Sequence, residues 1–176
     1  MSSISLTKGD VLISNGKAHE VVEISDKKNS LGEVSRYVYF RPLFSTTNSK
    51  TILCSIPYEN ILTTNKRKPV SKKKLQEIFS ILNSPALQEE ILNVREASEV
   101  LKGNDLEQVA ILAKQLWMHK QNPGCNFSLR KQQLFKKALR FLSQEIAVIE
   151  NQDIESAKSI AVEQLEKDTT FLNNTI

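Results

Sequence analysis

Glycine and proline occur only five times each in 176 residues, and none of the glycines falls into a GxGxxG or GxxxxGK[ST] spacing. A nucleotide-cradling loop of either kind is therefore excluded. Cysteine and histidine are scarcer still, at two each. Cys54 and Cys125 stand 71 positions apart, with no further Cys or His at the short spacings of zinc sites, and His119 with Cys125 supplies too few ligands to close a tetrahedron. We expect two free thiols in a reducing compartment, no metal and no other cofactor. Neither His19 nor His119 is accompanied by a nucleophile motif, so no catalytic residue is assigned and the chain is not read as an enzyme. No apolar run approaches bilayer-spanning length, and "MSSISLTKGD" lacks the basic and apolar regions of a signal peptide. A cytoplasmic protein without a membrane partner is expected.

What is present is charge, unevenly distributed. The net +4 is modest, yet Asn60 to Gln76 holds six Lys or Arg and no acid. Gln108 to Gln144 holds seven, again without an acid, whereas Glu145 to Asp168 holds seven acids against Lys158 and Lys167. Such blocks suggest a basic surface for a polyanion and an acidic tail elsewhere. A surface without carboxylates in its basic segment is also unsuited to metal-dependent cleavage of nucleic acid.

The hydrophobic period changes once along the chain. Up to about Thr63, short β-branched and aromatic runs ("DVLIS", "KAHEVVEIS", "RYVYFRPL", "TILCSIP") are split by polar turn residues, and Asn15-Gly16 has the spacing and residue types of a two-residue hairpin. Four or five short strands make a small, bent barrel of SH3 or Tudor type the economical architecture. After the basic linker "NKRKP" the period is helical. Ser71 caps a helix burying Leu75, Ile78, Phe79 and Leu82, and Ser84-Pro85 opens a second with Leu87, Ile91, Val94 and Leu101 inward. Gly103 is expected at the left-handed position ending that helix, and Asp105 caps a third whose stripe is Leu106, Val109, Ala110, Ala113, Leu116 and Trp117. A fourth helix from about Ser128 buries Phe135, Ala138, Leu139, Leu142, Ile146 and Ile149 and turns Arg130, Lys136, Lys137 and Arg140 to the opposite face. An acidic fifth helix runs from Ile154 to about Lys167. The expected fold class is thus α+β, with a small N-terminal Tudor/SH3-like β-barrel over residues 1–64 and an all-α helical bundle of about five helices over 65–176. No long heptad seam is visible, so a monomer is expected.

The sole tryptophan carries two readings. Its place on the apolar stripe favours core. Its position in the last turn before "NPG", followed by Met118, His119, Lys120 and Gln121, allows it to serve as an apolar wedge beside a basic face instead. A blue-shifted, quencher-resistant emission from the free protein would count against the wedge.

A set of segments runs in one order along most of the chain. "KGDVLI", "VVEI", "RYVYF", "IPYENI" and "RKPVSKKKLQEIFSIL" are followed by "LKGNDLEQVAILAKQLW" and "FSLRKQQLFKKALRFLSQEIA". In these the sequence resembles the CarD family of bacterial transcription factors, whose N-terminal module is shared with the polymerase-interacting domain of transcription-repair coupling factors. The resemblance implies a β domain that docks on the β subunit lobe of bacterial RNA polymerase. It also implies a helical domain that presents a tryptophan to the upstream edge of the promoter bubble and stabilises the open complex, in a cytoplasmic, nucleoid-associated protein. Trp117 stands at the position of that tryptophan. With it, Met118, Lys120, Gln121, Arg130, Lys131, Lys136, Lys137 and Arg140 form the expected DNA-binding set. Polymerase is expected to meet Lys27, Lys28, Thr51, Leu53, Ser55 and Pro57. Ser55 stands where the family offers an arginine, and Met118 where it has a basic residue. The alternative is an interaction module of the same fold that leaves DNA alone and keeps Trp117 in its core.

Overall fold

The computed structural model describes residues 5–28, 32–44, 52–61, 63–84 and 93–167. It divides into two compact units, residues 1–69 and 70–176, each considered by itself.

In the first unit, strands β1 (Val11–Ser14) and β2 (Lys17–Lys28) form the expected hairpin, closed by the Ser14–Lys17 pair. Asn15 and Gly16 both take positive φ, 50° and 65°, as a type I′ turn requires. Strand β3 (Val34–Pro42) pairs with β2, β4 (Cys54–Pro57) with β3, and β5 (Lys66–Arg67) with β1. The order is β4-β3-β2-β1-β5, antiparallel throughout. The register of β2 against β3 shifts between Val21 and Glu23, a bulge that sharpens the twist, and the sheet curls into a half-barrel. Its concave face holds Leu6, Leu12, Val21, Val38, Phe40 and Ile61, the last from a 3₁₀ turn at Tyr58–Ile61. Lys66 and Arg67, expected in a linker, instead supply the last strand of this sheet.

The second unit contains α1 (Lys72–Asn83), α2 (Val94–Gly103), α3 (Leu106–Gln121), α4 (Leu129–Glu150) and α5 (Ile154–Glu166). Each begins on a side chain that accepts from a first-turn N–H: Ser71, Asn93, Asp105, Ser128 and Asp153. Ser71 and Asp105 cap as expected from sequence, but α2 is opened by Asn93. Ser84 ends α1 instead, its N–H and hydroxyl both donating to Ile81 O, while Leu87 and Ile91 lie outside the described residues. The left-handed residue after α2 is Asn104, at φ 60°, rather than Gly103. Asn is among the few residues other than glycine that enter this conformation readily.

Helix α4 packs against α2, α3 and α5, and α1 against α3 and α5. Every residue of the α3 stripe is buried, and so are Phe135, Ala138, Leu139, Leu142 and Ile146 of α4. Two charged residues join them in the interior, which a count of charge blocks does not reveal. Lys114 is fully buried and its Nζ donates to Leu82 O at 3.0 Å. That carbonyl lies in the last turn of α1 and has no partner within its own helix. Glu145 is fully buried as well, and its Oε1 accepts from Val70 N–H at 2.6 Å. Lys114 therefore leaves the basic surface and becomes a structural donor. We predict that Lys114→Met, which keeps the volume and removes the donor, lowers stability by about 1–3 kcal/mol. Urea unfolding followed by Trp117 emission reports this unit directly; an unchanged midpoint would contradict the assignment.

Candidate functional site

The expected DNA-binding residues all come from the end of α3 and the length of α4. Helix α3 stops at Asn122, whose N–H donates to Met118 O at 3.0 Å and whose Oδ1 accepts from Gly124 N–H at 2.9 Å. The chain then turns through Pro123-Gly124 to Ser128, which caps α4. This short return brings Trp117 against Phe135, with ring centroids 5.9 Å apart and a 34° tilt. Lys120, one turn beyond Trp117, lays its ammonium over both rings, 5.0 Å from the Trp117 centroid and 5.9 Å from that of Phe135. Lys131 Nζ lies 3.4 Å from His119 Nδ1 and donates to Asn126 O at 3.2 Å, tying the connecting loop to the end of α3.

Trp117 is buried, with 6% of its surface exposed. In the free chain it occupies the core position that periodicity predicts. Its burial is incomplete in one chemical respect, since the indole Nε1 is out of water without a hydrogen-bond partner among the described residues. An unmet buried N–H costs about 1–3 kcal/mol, while a cation over an aromatic face returns about 0.5–1 kcal/mol at an exposed site. The ring is thus held by packing and by the Lys120 cover rather than by hydrogen bonding.

The other residues divide by exposure. Lys120, Gln121, Arg130, Lys136, Lys137 and Arg140 are exposed, and Met118 and Lys131 half-buried. Lys136, Lys137 and Arg140 have no ion-pair partner among the described residues. The sequence from Leu129 to Gln144 contains no acid, so four turns of α4 present cations alone. The earlier basic run is partly compensated. Lys74 bonds Glu107 and Glu77, and the Glu107 contact is the leading cause that raises its pKa, while Lys68 lies 3.5 Å from Asp10. Sequence reasoning missed Lys102 of α2, which lies beside Arg130 and Lys137 across a hollow between α2 and α4. The available signal was its place beside Leu101, about 100° further round that helix.

The polymerase-directed residues lie in the β unit. Among the described strands β4 is an edge, paired only with β3. Cys54 and Ile56 pack on the core, which turns Ser55 outward. Leu53 is 57% and Ile52 50% exposed just before the strand. Lys27 and Lys28 are exposed at the end of β2, opposite Ser35 and Val34, towards the sheet end that holds Pro57. Leu53 is at the other end, and Thr51 lies outside the described residues. His19, opposite Pro42 near the start of β2, is edge-on to Phe40, and burial holds its pKa below the ordinary 6.5.

No group of three or more His, Cys, Asp or Glu suited to a metal ion occurs among the described residues, and none of their helices is long and apolar enough to cross a membrane. The architecture defines an α+β class in which a curled antiparallel sheet precedes a five-helix domain. A family model described as CarD, C-terminal domain, matches residues 77–161, from within α1 to within α5. This match supports a CarD-family protein. It is accordingly related to transcription, in a family of transcription factors rather than known enzymes.

Trp117 emission in the free protein is predicted to be blue-shifted and protected from acrylamide. Phe135→Ala, which opens a cavity beside the indole, is predicted to red-shift it and to cost about 3–5 kcal/mol. A water-like spectrum in the wild type would contradict the packing described.

Proposed function

We propose that this protein is a CarD-like regulator that holds bacterial RNA polymerase with its β unit and promoter DNA with its helical unit, stabilising the open complex with Trp117 at the upstream bubble edge. The observation that carries the reading is the acid-free cationic face of α4, borne by the same helix whose Phe135 packs on Trp117. Lysine and arginine on such a face bind phosphates with release of counterions, without regard to sequence. The exposed edge of β4 and the apolar residues before it favour a partner that adds a strand by backbone pairing, which here would be the β subunit lobe. Action in the cytoplasm, on the nucleoid, follows from those partners.

Burial of Trp117 sets the energetics of the wedge. Uncovering 150–250 Å² of indole costs about 4–6 kcal/mol at ~25 cal/mol/Å². Reburial against bases recovers area, stacking adds about 1–3 kcal/mol, and the acceptors on the minor-groove floor offer the unmet N–H a partner. Lys120 links the two states, because a phosphate that draws its ammonium away also uncovers the ring. Trp117 is in this reading a stored wedge, released by the ligand. The effect on transcription is then a population shift, limited to the difference in affinity for open and closed complexes, with about 1.4 kcal/mol for each factor of ten.

The same burial favours a second reading, in which Trp117 is core only and the fold serves as a protein interaction module without DNA. Open-complex lifetime after competitor challenge separates them. We predict that wild type lengthens the lifetime at least several-fold, that folded Trp117→Ala and Trp117→Leu variants do not, and that Lys136→Ala with Arg140→Ala weakens the effect most at low salt and makes it less salt-dependent. Full activity in the Trp117 variants would leave the second reading standing. No effect of the wild type would overturn the proposed function.

A further inference from the structure

Helices α2 and α4 line an open hollow of about 180 Å³, whose α2 side none of the preceding roles uses. Its floor is Leu101 and Leu134, both almost fully buried. Its walls are Ser98 and Lys102 from α2 and Arg130, Gln133 and Lys137 from α4. Three cations thus converge from two helices, and no carboxylate lines the space. Arg130 is aimed by its neighbours: its Nη2 donates to Ser98 Oγ at 3.4 Å, and Ser98 Oγ in turn donates to Val94 O at 2.9 Å. Lys102 is held at the rim by Glu99, 2.7 Å away.

With Lys102 paired to Glu99, Arg130 and Lys137 still repel across the hollow, and an anion placed between them converts that repulsion into attraction. The guanidinium offers a fork of donors matched to phosphate oxygens, with the two ammoniums as flanking point charges. Size restricts the ligand further. At ~30 Å³ per water the hollow holds about six, less than the roughly 300–1,000 Å³ of pockets that enclose drug-sized molecules. One phosphate with part of its ester fits, and a whole nucleotide does not.

We propose that this hollow is a single-phosphate seat, formed by Ser98, Lys102, Arg130, Gln133 and Lys137. For its natural ligand, a backbone phosphate of DNA, the proposal rests on the reading that the helical unit binds promoter DNA. The phosphate chemistry rests on the hollow alone. The seat extends the DNA-facing surface from α4 onto α2, and a small phosphorylated molecule is the other source of the same group.

The test is an amide-resonance titration of the full-length ¹⁵N-labelled protein at constant ionic strength, with inorganic phosphate in one arm, a short DNA duplex in the second and chloride as control. Signals of Ser98, Lys102, Arg130 and Gln133 are expected to move with phosphate and with duplex. Arg130→Ala, at an exposed position, is expected to abolish the phosphate response. Lys102→Ala is expected to lower the slope of log affinity for duplex against log salt by about 1. Phosphate shifts with no duplex binding would support the seat, assign it to a small phosphorylated ligand and sink the DNA reading. Duplex binding that moves the end of α3 and leaves the hollow silent would overturn the seat and spare the DNA reading. A phosphate response unchanged in Arg130→Ala would overturn it as well.

Discussion

Helix α4 has to satisfy three neighbours at once, and that constraint organises the helical unit. Contacts with α2, α3 and α5 commit the stripe from Leu134 to Ala147 to burial. What cannot be buried must then project from the remaining face, and in this sequence those residues are Arg130, Lys136, Lys137 and Arg140. The same packing fixes Phe135 beside Trp117 and Glu145 beneath the backbone of Val70. The cationic surface, the aromatic pair and the junction with α1 are consequences of one helix with a committed interior face.

Polar groups inside this unit serve distinct purposes. Lys114 supplies a donor to the end of α1 and is hidden from any ligand. The indole N–H of Trp117 has no partner among the described residues, and this lack makes the ring easier to remove from the core than a fully satisfied tryptophan. Lys120 covers that ring at low energetic cost while remaining exposed to a competing phosphate.

The sequence was most legible where one local rule acted without competition. The Asn15-Gly16 hairpin followed from the positive φ of its turn, and the α3 and α4 stripes from a helical period that every expected residue kept except Ile149, half-buried in the last turn of α4. It was less legible where a residue type serves two ends. Ser84 before Pro85 reads as a helix start, yet its hydroxyl closes the helix behind it. Asn104 took the left-handed position that its glycine neighbour suggested. Lys114 and Glu145 belong by charge to surface blocks. Their spacing gives the better signal, since Lys114 stands four residues from Ala110 and three from Trp117, and Glu145 three from Leu142, all buried. The hollow between α2 and α4 needs two helices brought together, which no spacing within either can reveal.

The most direct test of a stored wedge is the accessibility of Trp117 with and without DNA. Acrylamide quenching of its emission should be measured as a forked promoter duplex is titrated in, with binding followed in parallel by anisotropy of labelled DNA. The account predicts that the emission of the bound protein changes, quenched by contact with bases, and that Lys120→Ala increases acrylamide access before DNA is added. Saturable DNA binding that leaves both the spectrum and the quenching of Trp117 unchanged would contradict it.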